Sequence, residues 1–227
     1  MRIGIICAGD RELDPFFNEI VEDNCTEKAM LKFHEGKVGK HDVIYLYSGV
    51  CKVNAAIATQ ILVDNYQVNL VINAGVAGAL DSGLQIFDTV ICSEVAYHDV
   101  GEGILTDFHP WMDTPFFKTD DALLKKAQEL ITDSNTEYAI HIGRMVTGEA
   151  FIEGAERQKI IDKYHPLSVD METASIAHVC YVNKIPFIAV RSFTDTADSS
   201  AEDNFEKNCQ KASEIAKDVT MNLIKRL

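Results

Sequence analysis

Residues 70–80, L-V-I-N-A-G-V-A-G-A-L, join a short apolar run to a glycine-rich segment. A run of this kind predicts a strand covered on both faces, which we assign to Leu70–Ala74. Similar Val- and Ile-rich runs alternate with longer stretches of helical period along the chain. This alternation predicts an α/β fold in which helices flank a twisted, mixed central β-sheet. Because the chain has no internal repeat and no linker-like composition, residues 1–227 are expected to form a single domain.

The other predicted elements follow the same alternation. The remaining strands are predicted at Arg2–Cys7, Val43–Ser48, Thr89–Ser93, Ile140–Val146 and Phe187–Arg191. The helices are predicted at Lys52–Tyr66, Asp121–Thr132, Ala155–Tyr164, Thr173–Asn183 and Ala201–Leu227. The last helix has the clearest apolar stripe. The irregular segment Asp99–Pro115 is long for a loop, which favours a functional or interface role.

The charge balance restricts the possible partners. The chain carries 35 acidic and 21 basic residues, a formal net charge of −14. No block of Lys and Arg could follow a phosphate backbone, so nucleic acid is not an expected partner. Every apolar run is shorter than the roughly 18 residues of a membrane span, so no membrane partner is expected either.

Cysteine usage indicates a reducing compartment. The six cysteines include no CxxC pair and no close Cys/His spacing of the kind typical of zinc sites. We therefore expect free thiols, no bound metal and a cytoplasmic location. The apolar start M-R-I-G-I-I-C-A-G is too short for a signal sequence, and Asp10 and Glu12 follow it where a cleavage site would be needed.

The candidate site residues follow the predicted strands, because ligands of α/β sheets bind beyond the carboxyl ends of strands. Four such segments are unusual in their glycine or polar content: C-A-G-D-R-E (7–12), I-N-A-G-V-A-G-A-L (72–80), T-G-E-A-F-I-E-G (147–154) and R-S-F-T-D-T-A-D (191–198). In S-V-D-M-E-T (168–173), two further acids, Asp170 and Glu172, directly precede a predicted helix.

These segments carry a family resemblance that covers essentially the whole chain. The chain resembles the 5′-methylthioadenosine/S-adenosylhomocysteine nucleosidases, within the wider purine-nucleoside phosphorylase superfamily. Seven motifs occur in the family's order: M-R-I-G-I-I-C-A-G-D-R-E (1–12), Y-S-G-V-C-K-V-N-A-A (47–56), I-N-A-G-V-A-G-A-L (72–80), Y-H-D (97–99), T-G-E-A-F-I-E-G (147–154), V-D-M-E-T-A-S-I-A-H-V-C (169–180) and R-S-F-T-D-T-A-D (191–198).

The resemblance implies a nucleoside phosphorylase-like fold and a hydrolytic activity. The implied substrates are adenine nucleosides with a 5′-thioether, which are cleaved at the N-glycosidic bond to adenine and a thioribose, a reaction of methionine salvage. No cofactor is implied. The family also suggests a homodimer in which the irregular segment of one chain closes its neighbour's pocket. Apolar Phe108, Trp111, Phe116 and Phe117 in and beside that segment are expected to form an exposed interface patch.

Two residues are implied to carry the chemistry. Glu12 resembles the carboxylate that activates the attacking water, and Asp195 the acid that protonates adenine at N7. Physical chemistry asks for the same pair, because the oxocarbenium-like transition state needs a neutralised leaving base and a nucleophile on the opposite face. We expect unlike surroundings to keep one carboxyl group protonated and the other ionised.

The other implied roles concern binding. Glu172 corresponds to the residue that binds the ribose 2′- and 3′-hydroxyls, and Met171 to the one that packs on the sugar. The remaining residues implied to line the pocket are Phe151 on the adenine ring, the Ile152 backbone at the base's edge, Val50 at the 5′-substituent, and Val76.

Each of these residues also has a structural interpretation. Glu12 and Glu172 could be first-turn acids favoured by a helix dipole, and Asp195 could cap a turn. Met171 and Phe151 would ordinarily be core residues.

The chain also departs from the family's commonest pattern at several positions. Gly9 stands where a bulkier residue is usual, Cys51 where Gly is usual and Val76 where Ser is frequent. The preference among methylthioadenosine, adenosylhomocysteine and 5′-deoxyadenosine therefore stays open.

Two other functions compete with hydrolysis. A phosphorylase of the same superfamily would use phosphate as the nucleophile, but G-V-A-G-A (75–79) offers only backbone donors, and Glu12 would repel the anion. A non-catalytic nucleoside-binding protein would not need three acids around a neutral ligand, because burying unpaired carboxylates is costly.

Overall fold

A mixed sheet of ten strands organises the fold. The structure is a computed structural model that describes residues 1–133, 136–152, 154–196 and 201–227, without the side chains of 201–203. The strands are β1 Arg2–Cys7, β2 Glu22–Lys28, β3 Leu31–Val38, β4 His41–Tyr47, β5 Leu70–Ala79, β6 Thr89–Tyr97, β7 Phe117–Lys118, β8 Ile140–Thr147, β9 Ser168–Asp170 and β10 Phe187–Asp195. The helices are α1 Asp10–Phe17, α2 Lys52–Tyr66, α3 Ile104–Asp107, α4 Asp121–Asp133, α5 Gly154–Tyr164, α6 Thr173–Asn183 and α7 Ala201–Ile224. The predicted mixed α/β architecture is confirmed.

Strand β5 lies at the centre of the sheet. It pairs in parallel with β1 on one side and with β10 on the other. Strand β10 also pairs with β6 in the antiparallel sense, so β10, β6, β8, β9 and β5 close into a ring of paired strands. The carboxyl ends of β1, β5 and β10 consequently meet at one edge, which is where ligands bind in sheets of this class.

Helices cover both faces of the sheet, as its apolar strands require. Side chains of α2 and α6 pack into one core cluster, and side chains of α1, α4 and α7 into another. Every residue of β10 is buried, and so is nearly all of β5. This burial agrees with the near-continuous apolar sequence of the two strands.

The central strands are longer than predicted. The predicted ends at Ala74 and Arg191 are wrong, because β5 continues to Ala79 and β10 to Asp195. We expected the glycine-rich and polar residues to follow these strands. They instead form the last paired residues at the carboxyl ends of β5 and β10. Parallel backbone pairing with a buried neighbour holds these residues in strand conformation despite their low strand propensity.

A hairpin and a short helix were not predicted. The sequence of β2 is polar and all its residues are exposed, so β2 and its partner β3 lack the alternation that identifies a strand. Helix α1 has only eight residues and contains Pro15. In contrast, the bounds of α2 and α6 agree with the prediction.

One residue of the predicted interface patch is buried in the structure. In the expected interface patch Phe108 and Trp111 are exposed, but Phe117 is buried in β7, so its predicted exposure is wrong. The quoted motif residues Glu153, Ala197 and Asp198 lie outside the described residues. Among the helices described, none has the length and apolar character needed to cross a membrane.

Candidate active site

A cavity of about 390 Å³ opens where β1, β5 and β10 end. The segments that follow β4, β8 and β9 and side chains of α5 and α7 form the rest of its walls. Each of the eight site residues predicted from the sequence lines this cavity: Glu12, Val50, Val76, Phe151, Ile152, Met171, Glu172 and Asp195. The fold therefore brings together residues from six separate motifs, while their individual roles stay predictions.

Arg191 is the centre of the charge network. Its side chain on β10 has no solvent exposure and forms ion pairs with three carboxylates: Glu12 at 3.2 Å, Asp170 at 3.1 Å and Glu172 at 3.2 Å. The planar guanidinium suits this arrangement, because its five N–H donors point in fixed directions. The three acids keep the pKa of Arg191 well above its usual range, so the cation is permanent.

Glu12 is held by donors on both of its oxygens. One oxygen accepts hydrogen bonds from the backbone N–H groups of Ala8, at 2.5 Å, and Gly9, at 2.9 Å. The other accepts from the Val76 N–H at 2.7 Å and from Arg191 at 3.2 Å. Glu12 thus stabilises the start of α1, as its structural interpretation proposed, but it is buried and lines the cavity as well. Donors of this kind stabilise the ionised carboxylate.

Glu172 lies at the N-cap position of α6. Its carboxylate accepts hydrogen bonds from the Cys51 N–H at 2.9 Å and from Arg191 at 3.2 Å. Burial raises the pKa of Glu172 to about 7, an effect that Arg191 opposes and that Asp170 and Glu12 reinforce. The group therefore titrates near neutral pH while it faces the cavity.

Asp170, rather than Glu172, satisfies the donors at the start of α6. Its carboxylate accepts from the backbone N–H groups of Glu172, at 3.3 Å, and Thr173, at 3.2 Å, and from the Thr147 hydroxyl at 2.6 Å. Because these bonds fix the loop before α6, they also fix the position of Glu172.

Asp195 ends β10 at the other side of the cavity. It accepts a hydrogen bond from the Thr194 hydroxyl at 3.0 Å, and Arg157 of α5 lies 3.6 Å from its second oxygen. Arg157 is itself buried and donates to the carbonyl oxygens of Ala79, at 2.8 Å, and Thr196, at 3.2 Å. The backbone therefore fixes the cation next to Asp195.

The glycines of β5 make room for these acids. A Cβ atom on Gly75 would lie 2.2 Å from a Glu12 oxygen and 2.6 Å from a nitrogen of Arg191. A Cβ atom on Gly78 would lie 3.0 Å from an Asp195 oxygen. The sequence G-V-A-G thus brings the backbone close to carboxylates at both sides of the cavity.

Apolar side chains form the rest of the wall. Phe151 is 55% exposed and meets Phe205 edge-on, with ring centroids 6.1 Å apart. Ile152 and Val76 are buried below the cavity surface. An apolar wall with a few fixed polar groups is the usual character of a small-molecule site.

Arg191 and Arg157 belong to the site without having been predicted from the sequence. A signal for Arg191 was present, because a charge inside the apolar run F-I-A-V-R-S-F (187–193) has to be paired when the strand is buried. Arg157 gave no such signal, since it belongs to a helix with several other charged residues.

Comparison with known proteins agrees with this geometry. The Phosphorylase superfamily matches residues 2–225. Two relatives carry the name 5′-methylthioadenosine/S-adenosylhomocysteine nucleosidase. The protein from Staphylococcus haemolyticus is 34% identical over 99% of this chain and 100% of its own length. The protein from an Exiguobacterium species is 35% identical over 100% of this chain and 99% of its own length.

A solved structure of a protein with the same name also has a similar fold. The 5′-methylthioadenosine/S-adenosylhomocysteine nucleosidase of Colwellia psychrerythraea, in complex with adenine, matches with a TM-score of 0.90 and 32% identity. The match covers 100% of this chain and 96% of that one. The similarity therefore extends over the whole fold.

Proposed function

Because this chain belongs to the 5′-methylthioadenosine/S-adenosylhomocysteine nucleosidases of the Phosphorylase superfamily, we propose that it hydrolyses the N-glycosidic bond of adenine nucleosides with a 5′-thioether. The products are adenine and the thioribose. The observation that carries the proposal is the grouping of Glu12, Glu172 and Asp195 around one cavity with an apolar wall. We call the part around Glu12, Glu172 and Arg191 the ribose end, and the part around Asp195, Arg157 and Phe151 the base end.

At the ribose end, Glu12 activates the attacking water. Backbone N–H groups and Arg191 hold its carboxylate in place at the cavity, where a carboxylate can accept a proton from water at the anomeric carbon. Because backbone groups fix the carboxylate, it needs little reorganisation when the reaction occurs.

Glu172 binds the ribose hydroxyls. Its second oxygen already accepts from Arg191, and its position at the start of α6 is fixed through Asp170. A hydroxyl that donates to this carboxylate favours its ionised form, so we expect substrate to lower the pKa of Glu172 from its value of about 7.

At the base end, Asp195 protonates adenine at N7. Arg157 lies 3.6 Å away and favours the carboxylate that remains after proton transfer. Arg157 can pair with the negative charge that Asp195 acquires once its proton has passed to the leaving base. Phe151 offers its ring to the base, and Val50 and Phe205 offer apolar surface to the rest of the substrate.

Phosphate does not suit this site as the nucleophile. The donors of Arg191 already pair with three carboxylates, and Arg11, which also lines the cavity, pairs with Glu206 at 2.7 Å. A phosphate oxygen 4 Å from the Glu12 carboxylate would be repelled by about 4 kcal/mol at an effective dielectric of 20. Hydrolysis is therefore favoured over phosphorolysis.

The functional unit that we propose is a homodimer. Phe108 and Trp111 are 63% and 66% exposed, and α2 also exposes Val53 and Ile57. Apolar side chains that are exposed in this number commonly mark an interface. Sedimentation at micromolar concentration should give a dimer, whereas a fully active monomer would contradict this part of the proposal.

The setting that we propose is cytoplasmic methionine salvage. Free cysteines agree with a reducing compartment, and the thioribose product retains the sulfur of the substrate. The proposed reaction therefore returns adenine and a sulfur-containing sugar for reuse.

The release of adenine tests the proposed function. Purified protein should liberate adenine from methylthioadenosine at the same rate with and without phosphate. Adenosylhomocysteine and 5′-deoxyadenosine should be compared in the same assay, because they differ only in the 5′-substituent. No adenine from any of the three, with binding retained, would favour the non-catalytic nucleoside-binding alternative.

A further inference from the structure

The outer hairpin of the sheet, β2 and β3, collects three metal-ligating side chains. Cys25 lies directly opposite His34 in the antiparallel register, so both side chains point to the same face. Three positions separate Glu22 from Cys25, and residues three apart in a regular strand point to opposite faces. The register shifts between Glu22 and Asn24, however, and this bulge turns Glu22 to the face of Cys25.

We propose that Glu22, Cys25 and His34 form a zinc-binding site. Their ligand atoms all lie within 4.8 Å of one another, and Glu22 already contacts the His34 ring through a hydrogen bond. Zinc bonds of about 2.0–2.3 Å place tetrahedral ligand atoms roughly 3.3–3.8 Å apart. The site can close by a small movement of the Glu22 side chain, which is 41% exposed.

The surroundings of His34 support a built site rather than a chance cluster. The imidazole packs edge-on against Phe17, with ring centroids 4.8 Å apart, and lies 5.4 Å from the Tyr45 ring on β4. Tyr45 is fully buried, and within the described residues its hydroxyl has no hydrogen-bond partner. A buried donor of this kind is a suitable outer partner for a coordinated thiolate or carboxylate.

The donor set identifies the class of ion. A thiolate, an imidazole and a carboxylate together suit Zn²⁺, with solvent in the fourth position. Mg²⁺ and Ca²⁺ require oxygen ligands throughout. On binding, Cys25 releases its thiol proton to solvent as its sulfur bonds to the metal. None of the three residues lines the catalytic cavity, and among the described residues this is the one such group found.

This site would tie an exposed edge strand to its neighbour. Strand β2 is an edge strand, and all its residues are exposed. Little apolar contact therefore holds it in place. An ion that binds only the folded hairpin stabilises it. We therefore expect zinc to raise the melting temperature without changing the release of adenine.

Zinc binding to the intact chain tests the proposal directly. Chelator-washed protein should bind one Zn²⁺ per chain in competition with a chromophoric chelator, and Co²⁺ should give a thiolate-to-metal charge-transfer band. Cys25→Ser should remove that band. Cys25→Ser and His34→Gln should each weaken zinc binding by at least about 10–100-fold, the usual cost of disturbing even an outer partner.

A control on the same hairpin excludes general effects on folding. Glu35 points to the opposite face, where it accepts a hydrogen bond from Asn24 at 2.9 Å, so Glu35→Gln should leave zinc affinity unchanged. The proposal is wrong if the intact chain binds no zinc or if the two ligand variants bind it as tightly as the parent. It is also wrong if the charge-transfer band disappears in Cys51→Ser instead of Cys25→Ser.

Discussion

The two ends of the cavity hold their charges in different ways. At the ribose end, a fully buried Arg191 pairs with Glu12, Asp170 and Glu172, and backbone donors complete the network. At the base end, Asp195 lies 3.6 Å from Arg157, next to a Phe151 ring that is more than half exposed. The carboxylates of the ribose end thus share one cation, whereas the base end combines a separate buried ion pair with an exposed aromatic ring.

This difference has a physical consequence. Removing one member of a buried charge network leaves its partners uncompensated, which affects folding as well as activity. A change at an exposed aromatic side chain should alter binding without loss of stability. Substitutions of Arg191 and of Phe151 therefore separate effects on the fold from effects on the reaction.

The largest effect is expected for Arg191→Met. Three buried carboxylates would lose their shared cation, and the free energy of unfolding should fall by about 3–5 kcal/mol. Urea denaturation measures this change. Arg226→Met is the matched control, because Arg226 forms a partly exposed ion pair with Asp133 and should change stability by no more than about 0.5–1 kcal/mol. Equal effects of the two substitutions would contradict the proposed network.

Asp195→Asn should come next, with its main effect on rate and a smaller loss of stability, because the buried Arg157 loses the charge of this partner. The amide can still hydrogen-bond to adenine but cannot supply a proton, so kcat should fall by about 10²–10⁴-fold while KM changes little. Steady-state kinetics together with a urea titration measure both quantities. Near-normal turnover would mean that another residue is the acid.

Glu172→Gln should reduce both binding and rate. A hydrogen bond to a charged group contributes about 1.5–3 kcal/mol, so kcat/KM should fall by roughly 10–100-fold. Both KM and kcat should change, because the ribose contact exists before the transition state and strengthens in it. Unchanged kinetic constants would remove Glu172 from the ribose end.

The same variant should also alter the pH dependence of stability. In the folded chain burial raises the pKa of Glu172 from 4.5 to about 7. Between these values the folded protein keeps a proton that the unfolded chain has released, so the contribution of Glu172 to stability falls as the pH rises to about 7. The stability of the parent relative to Glu172→Gln should therefore decrease between about pH 5 and pH 8. A constant difference would contradict the raised pKa.

The smallest effect is expected for Phe151→Leu at the base end. Leucine keeps an apolar surface but loses the ring, and aromatic pairing contributes about 0.5–1.5 kcal/mol beyond burial. KM should rise by about 2–10-fold, and stability should not change, because the ring is 55% exposed. A loss of stability like that of Arg191→Met would remove the distinction between the two ends.

The sequence predicted the parts of the fold that pattern alone determines. Helices α2 and α6 end where their prediction ended, since each helix stops at a residue with positive φ, Gln67 or Lys184. The hairpin of β2 and β3 was missed because its exposed polar residues form a strand through pairing, not through apolar alternation. Strand pairing over long sequence separations cannot be read from local pattern.

The candidate site was predictable where the motifs resembled a family. Their resemblance to family motifs allowed us to predict that Glu12 and Asp195 line the cavity. Without it, Glu12 was equally consistent with a helix start and Asp195 with a turn. Arg157 and Arg191 were missed because their roles depend on which acids the fold brings within 4 Å of them. Such contacts join residues far apart in sequence.

The source of the oxygen in the sugar product distinguishes hydrolysis from phosphorolysis. In heavy-oxygen water containing phosphate, the account predicts that the new hydroxyl at the anomeric carbon carries solvent oxygen and that the rate does not depend on phosphate. Glu12→Gln should abolish this reaction without opening a phosphate route, because the amide cannot accept the proton of the water. A ribose 1-phosphate product, or a rate that rises with phosphate concentration, would contradict the account.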